Sequence, residues 1–203
     1  RDSVASRGLG DVYKRQAMLA VAEKIRSEQG HVDIVICNAG IGGYVALTDI
    51  DEAEFDRVMY TNVLGSYYTA QACLPLMGEG STIILNTSVT ASLGLPNFSL
   101  YIAAKSAMKS FIHTWTAELR DRRIRVNAIA PGFFLTEQNR SLLTNPDGSW
   151  TQRGEDVIRQ TPFGRMGEPE ELCGTIHYLI SDASRFVTGT VAVVDGGFNT
   201  FAM

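Results

Sequence analysis

Short apolar, β-branched runs alternate with longer helical stretches along this chain, and that alternation constrains the fold more than any other feature. The runs are His31–Cys37 (HVDIVIC), Ser81–Asn86 (STIILN), Ile124–Ile129 and Val191–Val194. Such runs read as strands buried on both faces. Between them, Ala17–Gln29 has helical spacing, with Met18, Leu19, Ala22 and Ile25 on one face and Gly30 as C-cap. Residues 51–77 read as helix in one or two pieces, with acidic residues early. Asn97 or Ser99 caps a long helix running to Arg120. Glu168–Glu171 opens another, with Pro169 at its first position, running to Ile180. Strands separated by helices need crossovers, so the strands must be parallel. The expected architecture is α/β, a doubly wound parallel sheet in the order αβαβαβ(α)αβ, with residues 133–161 as a long, partly helical insertion.

Composition narrows the class. The chain has 203 residues, 45% hydrophobic and 20% charged, enough to build a core. A net charge of −4 argues against nucleic-acid and membrane surfaces as partners. No apolar run approaches the ~18–20 residues that span a bilayer. Cys37, Cys73 and Cys173 are far apart and form no CxxC pair, so three reduced thiols in a cytoplasmic protein are expected. The Asn-x-Ser/Thr triplets at Asn86, Asn97 and Asn139 are read as coincidences, since no secretion signal accompanies them. No HExxH, GxSxG or P-loop is present, and no metal site is expected.

Residues 1–16 differ from the rest. RDSVASRGLGDVYKRQ has neither helical nor strand period. Asp11–Gln16 (DVYKRQ) is what GAT-GTG-TAT-AAG-AGA-CAG encodes, and that DNA resembles a transposase end used in sequencing libraries. Residues 1–16 are therefore expected to be a non-native, adaptor-derived segment on a fragmentary read, with a natural polar tail as the alternative. Residues 17–203 are then the domain proper.

Tyr101 and Lys105 sit four apart on the long helix, hence on one face, about 5–6 Å apart at Cβ. A Tyr hydroxyl has a pKa near 10. A cation one turn away favours the phenolate and should bring that value toward the working range. Alone, the pair also suits a surface Tyr beside a solvated Lys. Its context adds Ser88, thirteen residues earlier at the end of a buried strand, and Asn62 in mid-helix, where Asn is a poor helix former. Asn38-Ala39-Gly40 and Pro131-Gly132 also end strands. Ligands of open α/β sheets bind at that rim. Ordinary structural roles stay open: Ser88 as a helix cap, Asn62 as a kink, the glycines as turns.

These residues carry a resemblance. CNAG at Cys37–Gly40, Asn62, Ser88, YIAAK at Tyr101–Lys105, IRVNAIAPG at Ile124–Gly132, Thr136 and VTGTVAVVDGG at Val187–Gly197 resemble the short-chain dehydrogenase/reductase family in its single-domain branch. The resemblance implies a Rossmann-like fold and NAD or NADP as cofactor. It implies that Tyr101 is the acid or base at the reacting oxygen, and that Lys105 lowers its pKa and binds the nicotinamide ribose. Ser88 would donate to the substrate oxygen, and Asn62 would hold a relay water. Asn38, Ala39 and Gly40 would lie beside the adenosine ribose; Pro131, Gly132 and Thr136 would lie along the nicotinamide. Cys37 stands where the family motif has Asn. A homo-oligomer, dimer or tetramer, is implied, with Tyr67, Phe111 and Trp115 as core or interface residues. A sugar-nucleotide epimerase or dehydratase is a weaker alternative, since such chains share Tyr-x-x-x-Lys but carry a larger C-terminal substrate domain.

One family element is absent. The TGxxxGxG turn that cradles the pyrophosphate has no counterpart here: Arg7–Gly10 follows no apolar strand, and Gly40–Gly43 belongs to the CNAG turn. The chain is expected to hold only strands 4 to 7 of the family's seven, with its first strand an uncovered edge. A fragment unable to bind dinucleotide is the competing expectation. The lid region Phe133–Gly167 resembles D-mannonate oxidoreductases of the fructuronate reductase type, so a sugar or sugar acid is expected, its carboxylate meeting Arg140, Arg153 or Arg165. The central segment resembles glucose-dehydrogenase and 3-oxoacyl-carrier-protein reductase relatives, which keeps those substrates open.

Overall fold

The structure, a computed structural model, describes residues 13–137 and 139–200. Arg7–Gly10 lies outside them, as does most of the 1–16 segment. Four strands, β1 (Ile34–Cys37), β2 (Thr82–Asn86), β3 (Arg125–Pro131) and β4 (Val191–Val194), form one sheet in the order β1-β2-β3-β4. All three pairings are parallel, with Ile34 opposite Thr82, Ile83 opposite Val126 and Ala128 opposite Val191. Seven helices accompany them among the described residues: α1 (Arg15–Glu28), α2 (Glu52–Met59), α3 (Gly65–Cys73), α4 (Ser99–Glu118), α5 (Arg140–Leu143), α6 (Gln152–Gln160) and α7 (Cys173–Ile180). The α/β parallel architecture expected from the alternation is the one found.

Helices α3 and α4 cover one face of the sheet, α1 lies on α3, and α7 packs on β2 and β3 from the other side. The main core joins Val35, Cys37, Ile83, Leu85 and Val126 to Met108, Ile112 and Trp115 of α4. A second cluster, built on Val89, Leu143, Val157, Met166 and Phe198, ties the 133–167 insertion to the loop after β2.

Several boundaries differ from the sequence reading for identifiable reasons. β1 is not buried on both faces: Val35 and Cys37 point into the core, while Ile34 and Ile36 are each 42% exposed. It lies at the sheet edge, and the helix on that face sits over β2 and β3. α1 begins at Arg15, two residues early, and Arg15 Nε donates to Gln71 Oε1 at 3.1 Å. Gly30 takes φ +78° at its C-terminal end, as a helix-ending glycine does. Neither Asn97 nor Ser99 caps α4. Its N-cap is Phe98, with no side-chain cap. Asn97 instead turns the chain at φ +64°, and its carbonyl accepts from the Val45 N–H at 3.0 Å. The 51–77 stretch is α2, one π turn (Tyr60–Leu64), α3 and a 3-10 turn (Leu74–Leu76). The helix expected from Glu168 starts as a 3-10 turn at Pro169 before α7.

Candidate active site

A parallel sheet brings the C-terminal ends of its strands to one rim. Here that rim carries Asn38–Gly40, Asn86–Ser88, Pro131-Gly132 and Asp195–Gly197. As the chain leaves β2, the Thr87 N–H and hydroxyl both donate to the Ile129 carbonyl, at 2.9 and 3.0 Å. This fixes Ser88, which is buried and extended and caps a 3-10 turn over Val89–Ser92. The capping role and the rim position therefore coexist. Ser88 Oγ accepts from the Thr90 N–H (3.2 Å) and the Thr90 hydroxyl (2.9 Å), and it is hydrogen-bonded to the Tyr101 phenol.

Tyr101 and Lys105 lie one turn apart near the start of α4. Ser106 Oγ pins this end by donating to the Ala91 carbonyl (2.9 Å), and Lys109 Nζ does so by donating to Ser92 Oγ (3.0 Å). Lys105 is buried. Its Nζ donates to the Asn86 carbonyl at 2.8 Å and stands 5.6 Å from the Tyr101 ring centroid. The pair has the geometry that its spacing implies, but the phenol shifts in the direction opposite to the one expected, and burial is the cause. Burial raises the Tyr101 pKa, with the Ser88 hydrogen bond pulling weakly the other way, so the phenol is not drawn down toward neutrality. Burial also pulls Lys105 down to about 8. The cation invoked to stabilise a phenolate is itself desolvated, which weakens the charge it offers.

Asn62 sits in the π turn between α2 and α3 and is fully buried. Turns of this kind concentrate at functional sites. Its Oδ1 accepts from the Ile41 N–H, and its Nδ2 donates to the carbonyls of Ile41 and Val58, all at 3.0 Å. Both amide hydrogens are used, so a water could be held only at an acceptor of this residue. The clamp holds the strand-ending turn against the helix. A Cβ on Gly40 would fall 2.6 Å from Asn62 Oδ1 and 3.4 Å from Lys105 Nζ, so only glycine fits there. Asn38 Oδ1 accepts from Asn86 Nδ2 at 2.7 Å.

Asn62, Ser88, Tyr101, Lys105, Asn38 and Gly40 thus form one connected group, with Ala39 in the same turn. Pro131, Gly132 and Thr136 lie along the β3–β4 side of the rim. The Gly132 N–H donates to the Val194 carbonyl (2.9 Å), and a Cβ there would strike Asp195 at 2.6 Å. Thr136 is exposed, and its N–H donates to Asn139 Oδ1 at 2.8 Å. Two of the three candidate arginines are engaged elsewhere. Arg165 forms a fork on Glu171 (2.7 and 2.8 Å), which holds that carboxyl down at about 2, and Arg140 pairs with Glu137 at 3.1 Å.

Sequence reasoning passed over Asn86, whose carbonyl and amide tie Lys105 to Asn38 and whose Oδ1 is buried without a partner. The available signal was a polar residue closing an apolar strand, the same signal that pointed to Asn38. Phe98, which meets Tyr101 and Tyr44 edge to face, carried no such mark.

Known proteins resemble this chain over most of its length. A family model described as Enoyl-(Acyl carrier protein) reductase matches residues 5–199. The chain is 36% identical to the uncharacterized oxidoreductase UxuB of Bacillus subtilis, over 95% of this chain and 76% of that protein. It superposes on a gluconate 5-dehydrogenase from Burkholderia cenocepacia in complex with NADP and tartrate, with a TM-score of 0.87 at 32% identity, covering 95% of this chain and 74% of that one. A protein from Haemophilus influenza with bound NAD, provisionally assigned as a D-mannonate oxidoreductase, gives 0.88 at 32% identity, covering 94% and 75%.

Proposed function

The chain belongs to the short-chain dehydrogenase/reductase family, which uses NAD or NADP, and on that premise we propose that Asn62, Ser88, Tyr101 and Lys105 catalyse interconversion of a secondary alcohol and a ketone. The substrate we assign is a small molecule, a sugar or sugar acid of the D-mannonate or fructuronate kind. The observation that carries the reading is the connected Ser88–Tyr101–Lys105 group at the C-terminal rim of a parallel sheet.

The rim suits a nicotinamide dinucleotide. Gly40 leaves space where any side chain would intrude, and Asn86 Oδ1 is a buried acceptor awaiting a donor, as a ribose hydroxyl would be. Asn38, Ala39, Gly40, Lys105, Pro131, Gly132 and Thr136 would line that site. When bound, the dinucleotide supplies or accepts the hydride. Tyr101, whose proton is held tightly by burial, gives that proton to the carbonyl oxygen during reduction and receives it back during oxidation. With substrate bound, Ser88 turns its single O–H from the phenol to the same carbonyl oxygen. Lys105 positions Tyr101 from one turn below, and its ammonium helps to re-protonate the phenol. Asn62 holds the Gly40–Ile41 turn in place, with its oxygens as the acceptors for a relay water.

Tyr101→Phe tests this assignment. It is expected to lower kcat about 10²- to 10⁴-fold with the fold retained, and undiminished turnover would remove Tyr101 from the mechanism. An acyl-carrier thioester is the second reading, favoured by the description of the matching family model. Comparing reduction of fructuronate with that of acetoacetyl thioester separates the two. Titrating NAD and NADP into the 203-residue chain measures its grip on the dinucleotide directly.

We also assign a cytoplasmic homo-oligomer. The stacked Phe111–Trp115 pair (4.9 Å), with Tyr67 beside it on the α3–α4 surface, supports the assembly. Among the described residues no helix is long and apolar enough to cross a membrane.

A further inference from the structure

We propose that Arg153 is the residue that selects the substrate, by binding the carboxylate of a small polyhydroxy acid beside the Ser88–Tyr101 centre. Arg153 lies in the first turn of α6, in the insertion over the rim. Its guanidinium carbon stands 4.8 Å from the Tyr44 ring centroid and 4.7 Å from that of Phe98, and the two rings meet edge to face at 5.3 Å, so the guanidinium rests on an aromatic pair. Phe98 in turn makes an edge contact with Tyr101 at 6.0 Å. The arginine is therefore one ring removed from the proposed proton donor.

Three observations indicate an anionic ligand. Among the described residues Arg153 makes no ion pair and no hydrogen bond, unlike Arg140 and Arg165, which are held by Glu137 and Glu171. Its Nε is buried and lacks an acceptor. A buried donor on a charged group is costly to leave unpaired, so a ligand oxygen supplied there gains the full interaction. Thirdly, Arg153 sits at the N-terminal end of a nine-residue helix capped by Thr151, whose dipole adds to the positive field.

Geometry then selects among anions. The N–H groups of a guanidinium lie in its own plane, and its Nε side presents two of them along one edge. Nε–H and one terminal N–H on that edge match the two oxygens of a carboxylate in a side-on fork. Of the two acids on α6, Asp156 is taken by Arg159 at 2.7 Å, and Glu155, in the first turn, makes no ion pair with Arg153 among the described residues. A neutral sugar offers only hydroxyls to this fork and leaves the charge without its counterion, which is a basis for discrimination.

The proposal rests on Ser88–Tyr101 being the reacting centre, so its test measures binding and not turnover. Calorimetric titrations of D-gluconate and D-mannonate, and of their uncharged counterparts D-glucitol and D-mannitol, would be run on the full chain with NADP or NAD present. The wild type is expected to bind at least one acid about 10- to 100-fold more tightly than its polyol. Arg153→Gln is expected to abolish that preference and leave polyol affinity unchanged. Arg153→Lys keeps the charge without the fork, and should lose most of the preference; it carries the test if the Gln variant fails to fold. No acid preference in the wild type, or a preference that survives both substitutions, overturns the proposal. Failure of the oxidoreductase reading would appear instead as unchanged turnover in Tyr101→Phe.

Discussion

Lys105 shows how one residue is held at a cost to folding. Burial lowers its pKa from 10.5 to about 8, and one hydrogen bond to the Asn86 carbonyl offsets part of that. Between pH 8 and 10.5 the unfolded chain binds more protons than the folded one, so stability rises with pH across that window. Below about 8 both states are protonated and the whole penalty is present. Each pH unit between the two values is worth roughly 1.4 kcal/mol, which makes the penalty a few kcal/mol. Losing the hydrogen bond costs about 1 kcal/mol. Lys105→Met is therefore expected to raise Tm at pH 7 by several degrees and to flatten the rise in stability between pH 8 and 10.5, while turnover is lost. Thermal melts across that pH range check it. A variant that melts below wild type at pH 7 would show that the ammonium is better accommodated than its burial implies.

At the scale of elements, the placement of α6 is the step on which substrate selection depends. The Thr151 N–H donates to the Leu143 carbonyl (3.0 Å) and its hydroxyl to the Leu142 carbonyl (3.0 Å), which docks α6 on the end of α5. Gly154 makes that contact possible, because a Cβ there would lie 2.5 Å from the Leu143 carbonyl oxygen and 3.2 Å from the Trp150 ring. In an open helix Gly→Ala stabilises by about 1 kcal/mol. Gly154→Ala should instead destabilise by about 1–3 kcal/mol and weaken acid binding more than polyol binding, since Arg153 moves with the helix. Gly174→Ala in α7, with nothing within 4 Å of its added Cβ, is the control and should be neutral or stabilising. Denaturation midpoints of the two variants should move in opposite directions. The strands and the Tyr101–Lys105 pair were legible in the sequence because they depend on local period and spacing. The rim followed from parallel connectivity. The π turn at Asn62, the ring pair against Arg153 and the direction in which the Tyr101 pKa moves were not legible, since each depends on contacts between distant segments and on burial that one-dimensional patterns do not encode.

Over the whole molecule, the sheet is covered unevenly. α3 and α4 cover one face over β1, β2 and β3, whereas α7 on the other side rests on β2 and β3 alone. Ile34 and Ile36 of β1 consequently leave apolar side chains open, each at 42% exposure. β1 is also an edge of the sheet among the described residues, so exposed apolar side chains and a free strand edge coincide there. Edges of that kind recruit further strands unless a charge, a bulge or a covering element blocks them. The 203-residue chain should therefore associate beyond any defined oligomer as its concentration rises. Ile36→Lys addresses the cause. Val35 and Cys37 keep the core contacts, the substituted side chain points to the open face, and a charged residue on an edge strand opposes pairing. Its expected result is the same thermal midpoint within about 1 kcal/mol of stability, with sharply lower light scattering at high concentration. The same substitution at Ile84, a fully buried residue of β2, should abolish folding. Scattering that does not fall in Ile36→Lys would place the sticky surface elsewhere, with the exposed Tyr67 on the outer side of α3 the next to substitute.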